Sequence, residues 1–235
     1  RETAMDDALC RELAKHQQQH VLAFWDELSG SQQARLEQQL SGIDFALLQR
    51  LRRGEHAAAN WAELAARAQS PPAIRLGDDH PLFDATAAQE AGRKALAAGE
   101  VGVVLVAGGQ GSRLGFDAPK GMFPIGPVSG STLFRILLEK VFACRQRYGA
   151  AIPLYVMTSP ATHEPTAAYL EQEHYFGLPA ADVRLFCQGT MPAVDAKTGR
   201  LLLAAKDSLA LSPDGHGGML SALVRSGAME DIARR

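Results

Sequence analysis

The chain has 235 residues, with 24 Lys and Arg against 26 Asp and Glu, for a formal net charge of −2. Hydrophobic residues make up 46% and charged residues 21%, an ordinary globular composition that excludes global disorder. Near-neutrality gives no field for non-specific capture of nucleic acid or an anionic membrane, but leaves room for a small anion held by a few placed side chains.

Residues 3–68 read as helices. Leu9, Leu13, Val21, Leu22, Phe24, Trp25 and Leu28 recur near the helical period. After the Ser29-Gly30-Ser31 break the pattern resumes through Leu36, Leu40, Ile43, Phe45, Leu47, Leu48 and Leu51. An alanine-rich helix is expected over 55–68, then a linker over 69–84 marked by Pro71, Pro72, Gly77 and Pro81. Residues 85–98 return to helix, with Gly99 as the stop.

From 101 the pattern alternates between strand and helix. The run 101–107, VGVVLVA, reads as a fully buried strand. A helix follows over 132–147, capped by Ser131 or Thr132, and then a strand over 152–158. A helix starts at Pro165 and runs to about His174. Strands are expected at 183–187 and 201–205, and a single helix from Met219 to Arg234. This alternation implies an α/β fold with a mostly parallel sheet covered on both faces. Ligands of such sheets bind beyond the carboxyl ends of the strands, which singles out the loops after 107, 158, 187 and 205. The expected organisation is an N-terminal helical region and linker over 1–100, and an α/β domain over 101–235.

Charge divides unevenly between these parts. Residues 1–100 carry 11 basic and 15 acidic side chains, and residues 101–235 carry 13 and 11. Cys10, Cys144 and Cys187 are far apart and odd in number, so neither a disulfide framework nor a zinc site is suggested. Run 101–107 is far shorter than the ~20 residues that cross a bilayer, and neither a membrane span nor a signal peptide is expected. The expected setting is a reducing one, the cytoplasm.

The loop after the first strand reads 108-GGQGSRLGFDAPKG-121. Glycines let a backbone approach a ligand and present its N–H groups. Arg113 adds a planar fork for phosphate oxygens and Lys120 a compact charge, a combination suited to a polyphosphate. The loop is not a Walker A motif, because Pro119 precedes Lys120 and Gly121 follows it. The spacing of Gly109, Gly111 and Gly115 does not fit a Rossmann fingerprint either.

The pattern GGxGSRLGxxxPKG resembles the signature loop of nucleotide-sugar pyrophosphorylases. Residues 13–51 are similar to the leading helices of UDP-N-acetylhexosamine pyrophosphorylases. The stretches 157–178, 186-FCQGTMPAVD-195 and 213-PDGHGGMLSAL-223 resemble that family in the same order. The resemblance implies a Rossmann-like catalytic domain behind an N-terminal helical region. It also implies transfer of a uridylyl group from UTP to a sugar 1-phosphate, with Mg²⁺ as cofactor.

Carried over residue by residue, the resemblance makes Arg113 and Lys120 the catalytic cations that contact the triphosphate. Gly108, Gly109, Gly111, Lys120, Gln188, Gly215, His216 and Gly217 become nucleotide contacts, with Gln188 at the uracil edge. The metal-binding Asp is expected beyond Arg235, so 101–235 corresponds to the first part of the catalytic domain. The expected sugar is N-acetylglucosamine 1-phosphate. His216 stands where the hexosamine enzymes usually carry Asn and glucose enzymes carry His, so glucose 1-phosphate or a broad sugar range stays open. A non-catalytic nucleotide-binding module is the alternative outside enzymes. No nucleic acid, membrane or protein partner is implied.

Overall fold

The structure is a computed structural model that describes residues 6–54, 61–71, 73 and 84–234. In chain order the helical elements are α1 (Asp7–Lys15), α2 (Gly30–Ser41), α3 (Phe45–Arg52), α4 (Trp61–Arg67) and α5 (Ala85–Ala97). Then come β1 (Val103–Val106), α6 (Leu133–Tyr148), β2 (Leu154–Thr158), α7 (His163–Gln172) and β3 (Val183–Cys187). The short strands β4 (Thr190–Pro192), β5 (Leu203–Ala205), β6 (Ser208–Leu209) and β7 (Leu211–Pro213) precede α8 (Met219–Arg225) and α9 (Ala228–Arg234). Residues 55–60 of the expected alanine-rich helix and most of the expected linker, 72 and 74–83, lie outside the described residues.

Two compact units emerge, one of residues 1–73 with 190–212, the other of 74–189 with 213–235. In the first, side chains set the helix starts. Asp6 accepts from the Ala8 N–H at 2.8 Å, and Asp44 accepts from the Leu47 N–H at 2.8 Å. Ser29 and Gln32 form a reciprocal capping box at α2. Leu9, Leu13, Val21, Leu36, Leu40 and Phe45 then close a core with Leu201 and Leu209.

Two expectations change in this unit. The apolar run Val21–Leu28 forms 3₁₀ turns at Gln19–Leu22 and Trp25–Glu27 instead of one helix. Gln17 takes a φ of +57°, which ends the helical path, and the Gln18 side chain bonds backbone elsewhere. Its amide donates to the Gly199 carbonyl at 3.1 Å and accepts from the Leu201 N–H at 2.9 Å. The strand near 201–205 exists as β5, but it pairs antiparallel with β6 and not with the parallel sheet. Its apolar residues serve the helical core.

The second unit holds the parallel sheet, in the order β1-β2-β3, with Leu105 opposite Val156 and Val156 opposite Leu185. Each parallel step is bridged by a helix, α6 and then α7. Alternation along β2 sorts its side chains. Leu154 and Val156 pack with Phe134, Leu138 and Leu170 from α6 and α7. Tyr155 and Met157 face the other way and pack with Ala222, Leu223 and Ala228 from α8 and α9. The central strand is therefore buried along its whole length.

β1 departs from the fully buried strand expected at 101–107. It is an edge strand of the described sheet, and Val104 and Val106 are each 38% exposed. The expected single helix over 219–234 is two, because Gly227 at φ +70° turns the chain after Ser226. Arg184 fixes that corner by donating to the Ser226 carbonyl at 2.6 Å. α7 ends at Gln172, before a left-handed turn whose Tyr175 and Phe176 pack into the α6 side of the core. Among the described residues no helix is long and apolar enough to cross a membrane.

Candidate functional site

β1, β2 and β3 run parallel, so their carboxyl ends share one edge. The ladder extends one residue past two of them. The Ala107 N–H donates to Met157 O at 2.7 Å, and the Gln188 N–H donates to Thr158 O at 2.8 Å. The glycine loop and Gln188 thus leave the sheet on either side of the end of β2. The Gln188 side chain, 8% exposed, reaches across to Gly108. A Cβ on Gly108 would stand 3.0–3.1 Å from its amide atoms, so a larger residue there would push Gln188 away by a few tenths of an ångström.

The loop folds back on itself. The Lys120 N–H donates to Gly109 O at 3.0 Å, and the Gly111 N–H to Ala118 O at 2.9 Å. Lys120 Nζ lies 4.0 Å from where a Gly109 Cβ would be, so the ammonium hangs beside bare backbone. Arg113 sits in the 3₁₀ turn Ser112–Leu114, exposed to solvent. Neither Arg113 nor Lys120 has an ion-pair partner among the described residues. Gly121 is buried against the Phe134 ring, which seats the end of the loop on α6.

The third contributor is the 214–218 segment. The Asp214 N–H donates to Gly189 O at 3.1 Å, tying it to the residue after Gln188. Gly215, at φ +70° and ψ −163°, takes a backbone conformation open essentially to glycine and projects His216 into a 3₁₀ turn with Gly217. A cavity of about 270 Å³ brings Gly109, Lys120 and His216 together over an apolar wall that includes Leu105, Phe134 and Leu137. Arg113, Gln188 and Gly217 do not line it. Gly111 acts at the neck of the loop, where a Cβ would meet the Phe116 carbonyl at 2.7 Å.

Asp214 is a residue that motif reading passed over. Its carboxylate occupies the space a side chain at Gly189 or Gly218 would need, and its buried Oδ1 has no hydrogen-bond partner. The signal was the pair of glycines flanking it in space, which sequence spacing does not reveal. Next to it, burial pushes the Cys187 thiol above its ordinary range, with the Asp214 charge adding and a Thr158 hydrogen bond opposing. Thr158 Oγ1 is also 2.7 Å from His163 Nδ1, so His163 packs at the strand end. Among the described residues no group of three His, Cys, Asp or Glu side chains could hold a metal ion.

These features define an α/β protein with a glycine loop and two unpaired cations at the carboxyl edge of a parallel sheet. Residues 51–235 match the family described as UTP–glucose-1-phosphate uridylyltransferase, and the chain belongs to that family. It is 34% identical over 240 residues to UDP-N-acetylglucosamine diphosphorylase 2 of Arabidopsis thaliana, covering 97% of this chain and 47% of that one. It is 36% identical over 231 residues to the human UDP-N-acetylhexosamine pyrophosphorylase-like protein 1, covering 93% and 45%. The fold matches the uridine diphosphate N-acetylglucosamine pyrophosphorylase of Trypanosoma brucei, solved with an inhibitor, at a TM-score of 0.67 and 28% identity, covering 94% and 46%. The chain spans about half the length of the relatives it matches.

Proposed function

We propose that this chain carries the nucleotide site of a uridylyltransferase that makes a UDP-sugar and pyrophosphate from UTP and N-acetylglucosamine 1-phosphate. The observation that carries the reading is the convergence of Lys120, bare Gly109 backbone and His216 on one cavity, with Gln188 held against Gly108 beside it. The names and identities of the relatives support the sugar. The reaction asks little covalent chemistry of the protein. A phosphate oxygen of the sugar phosphate attacks the α-phosphorus of UTP. The bond from that phosphorus to the bridging oxygen breaks, and pyrophosphate leaves with that oxygen. The nucleophile is already anionic, so no general base is needed. The barrier lies in bringing two anions into line and neutralising them. Lys120 and Arg113 are assigned that neutralisation, and the Gly108, Gly109 and Gly111 backbone the close approach to phosphate. Gln188, able to donate and accept, is assigned the uracil edge, and the Gly215-His216-Gly217 turn the rest of the nucleoside.

The reading includes Mg²⁺ bound with the triphosphate, as hard cations favour phosphate oxygens and one or two carboxylates. The described residues do not form a protein-built cage for it, and none is assigned to the ion. It also includes a cytoplasmic setting, supported by three cysteines that are all free. A second reading, glucose 1-phosphate as the acceptor, is favoured by His216 and by the description of the matching family.

Titration of the chain with UTP and CTP, by calorimetry, tests the base assignment. UTP is expected to bind tighter, because an unmatched buried polar group costs roughly 1–3 kcal/mol. Gln188→Ala should weaken UTP and narrow the ratio. Equal affinity for both nucleotides in the unmutated chain would remove Gln188 from the reading.

A further inference from the structure

The largest cavity among those described lies in the helical unit and is lined by none of the residues assigned above. It encloses about 500 Å³, within the roughly 300–1,000 Å³ typical of small-molecule sites. Its walls come from the ends of α1 and α3 and from the 194–200 segment, all parts of one compact unit. Arg52, Arg53 and Arg200 line it together, and no Asp or Glu does so among the described residues. Arg52 and Arg200 bring two guanidinium groups from separate segments to one cavity, so the arrangement favours an anion. Helix polarity explains only part of the cluster. Arg52 lies in the last turn of α3, where a cation suits the carbonyl end, but Arg200 comes from a different segment.

The backbone is shaped around Arg52. Gly199, at φ +70°, leaves open the space where its Cβ would meet the Arg52 Nε at 2.6 Å and Cζ at 2.8 Å. The Lys197 carbonyl accepts from Arg52 Nη2 at a long 3.4 Å. The 194–200 turn is itself clamped, with the Thr198 N–H and hydroxyl each donating to Asp195 at 2.7 Å. His16 and Phe45 form part of the wall. The His16 ring lines the cavity with only 9% of its side chain exposed, and its Nδ1 has no hydrogen-bond partner. Its Nε2 is engaged by Glu12 at 3.2 Å, and its face stacks on Phe45 at 5.3 Å and 15°.

We propose that this cavity is a second ligand site, one that takes a phosphorylated small molecule. Arg52 and Arg200 grip the phosphoryl oxygens, as guanidinium forks do, and Phe45, Leu48 and Val194 face the apolar or planar body. The proposal is independent of the uridylyl-transfer reading and uses none of its residues.

The test is a nitrogen–proton NMR titration of the chain with inorganic phosphate and with phenyl phosphate. Saturable shifts are expected at the Thr198 and Gly199 amides, with phenyl phosphate binding about tenfold tighter than phosphate. They should persist in Lys120→Ala, which removes the cation of the glycine loop. In Arg52→Gln/Arg200→Gln the affinity should fall at least about tenfold. Arg200→Gln alone, at an exposed position, gives the same direction if the double variant fails to fold. Non-saturating shifts, shifts confined to the glycine loop, or unchanged affinity in the arginine variants would overturn the proposal. Equal affinity for the two probes would overturn the apolar half of it.

Discussion

The two compact units gather positive charge in different ways. In the α/β unit the cations are few, Lys120 beside Gly109 and Arg113 on its turn, and what surrounds them is glycine backbone at the end of a sheet. In the helical unit the cavity is built from side chains, three arginines from two segments over a stacked His16 and Phe45. The first arrangement brings a ligand against main-chain N–H groups and suits an extended polyphosphate. The second grips from side chains alone and suits a compact phosphoryl head with an apolar body. The difference teaches that charge counted along the sequence is a poor guide to anion sites. The first hundred residues are the acidic part of the chain, yet they supply two of the three clustered guanidiniums.

The largest effects should separate the units by what their cores support. Phe134→Ala removes a side chain only 1% exposed and should cost about 3–5 kcal/mol in urea unfolding. Because Gly121 rests on that ring, UTP affinity should fall as well. Leu36→Ala, at a fully buried position of the helical core, should cost about 2–5 kcal/mol and leave the affinity of the remaining folded protein unchanged. If both truncations weaken UTP equally, the glycine loop is not specifically seated by α6.

Next comes the cation itself. In an assay with UTP and N-acetylglucosamine 1-phosphate on a protein that carries the whole catalytic domain, Lys120→Ala is expected to lower the forward rate by about 10²–10³ without lowering stability. Arg52→Gln should leave that rate within about twofold, because its guanidinium belongs to the other cavity. Equal losses in the two variants would break the distinction between the sites.

Smaller effects test how each unit is pinned. The Tyr155 hydroxyl donates to Asp231 at 2.8 Å, joining β2 to α9, and Tyr155→Phe should cost about 1 kcal/mol by denaturant unfolding. In the helical unit, hydrogen bonds from the Thr198 N–H and hydroxyl, then from the Lys197 N–H, hold the Asp195 carboxyl below its ordinary range. A depressed carboxyl contributes above its unfolded value near ~3.9, and that contribution is lost as pH falls through the folded value. Amide exchange at Thr198 should therefore stay slow at neutral pH and lose protection only in strong acid. Protection that is already lost near the ordinary Asp value would contradict the clamp.

Much of this was legible in the sequence. The strand at 183–187, the helix after Thr132 and the glycine loop stand where the residues suggested, since each carries its own local signal. Hydrophobic pattern reports that a residue is buried but not which core it joins. Leu201 and Leu203 therefore read as part of a sheet strand, although they pack with the helical core. The split at Gly227 was hidden because apolar periodicity continues through it. At the site, Lys120 stood out by its charge within a glycine-rich loop, whereas Gln188 was singled out only by the family resemblance. The role of Asp214 was not, since the glycines that accommodate it, Gly189 and Gly218, are brought together only by folding. The basic cavity was hidden for the same reason: Arg52 and Arg200 are 148 positions apart.

The central claim is that the loop at the carboxyl end of β1, with Gln188 and the 215–217 turn, is where a uridine nucleotide binds. Amide chemical-shift mapping during UTP titration tests it most directly. The account predicts saturable shifts clustered at Gly108, Gly109, Gly111, Gln188 and Gly215–Gly217, with affinity sharply reduced in Lys120→Ala. Saturable UTP binding that leaves these amides unmoved, or that Lys120→Ala does not weaken, would contradict it.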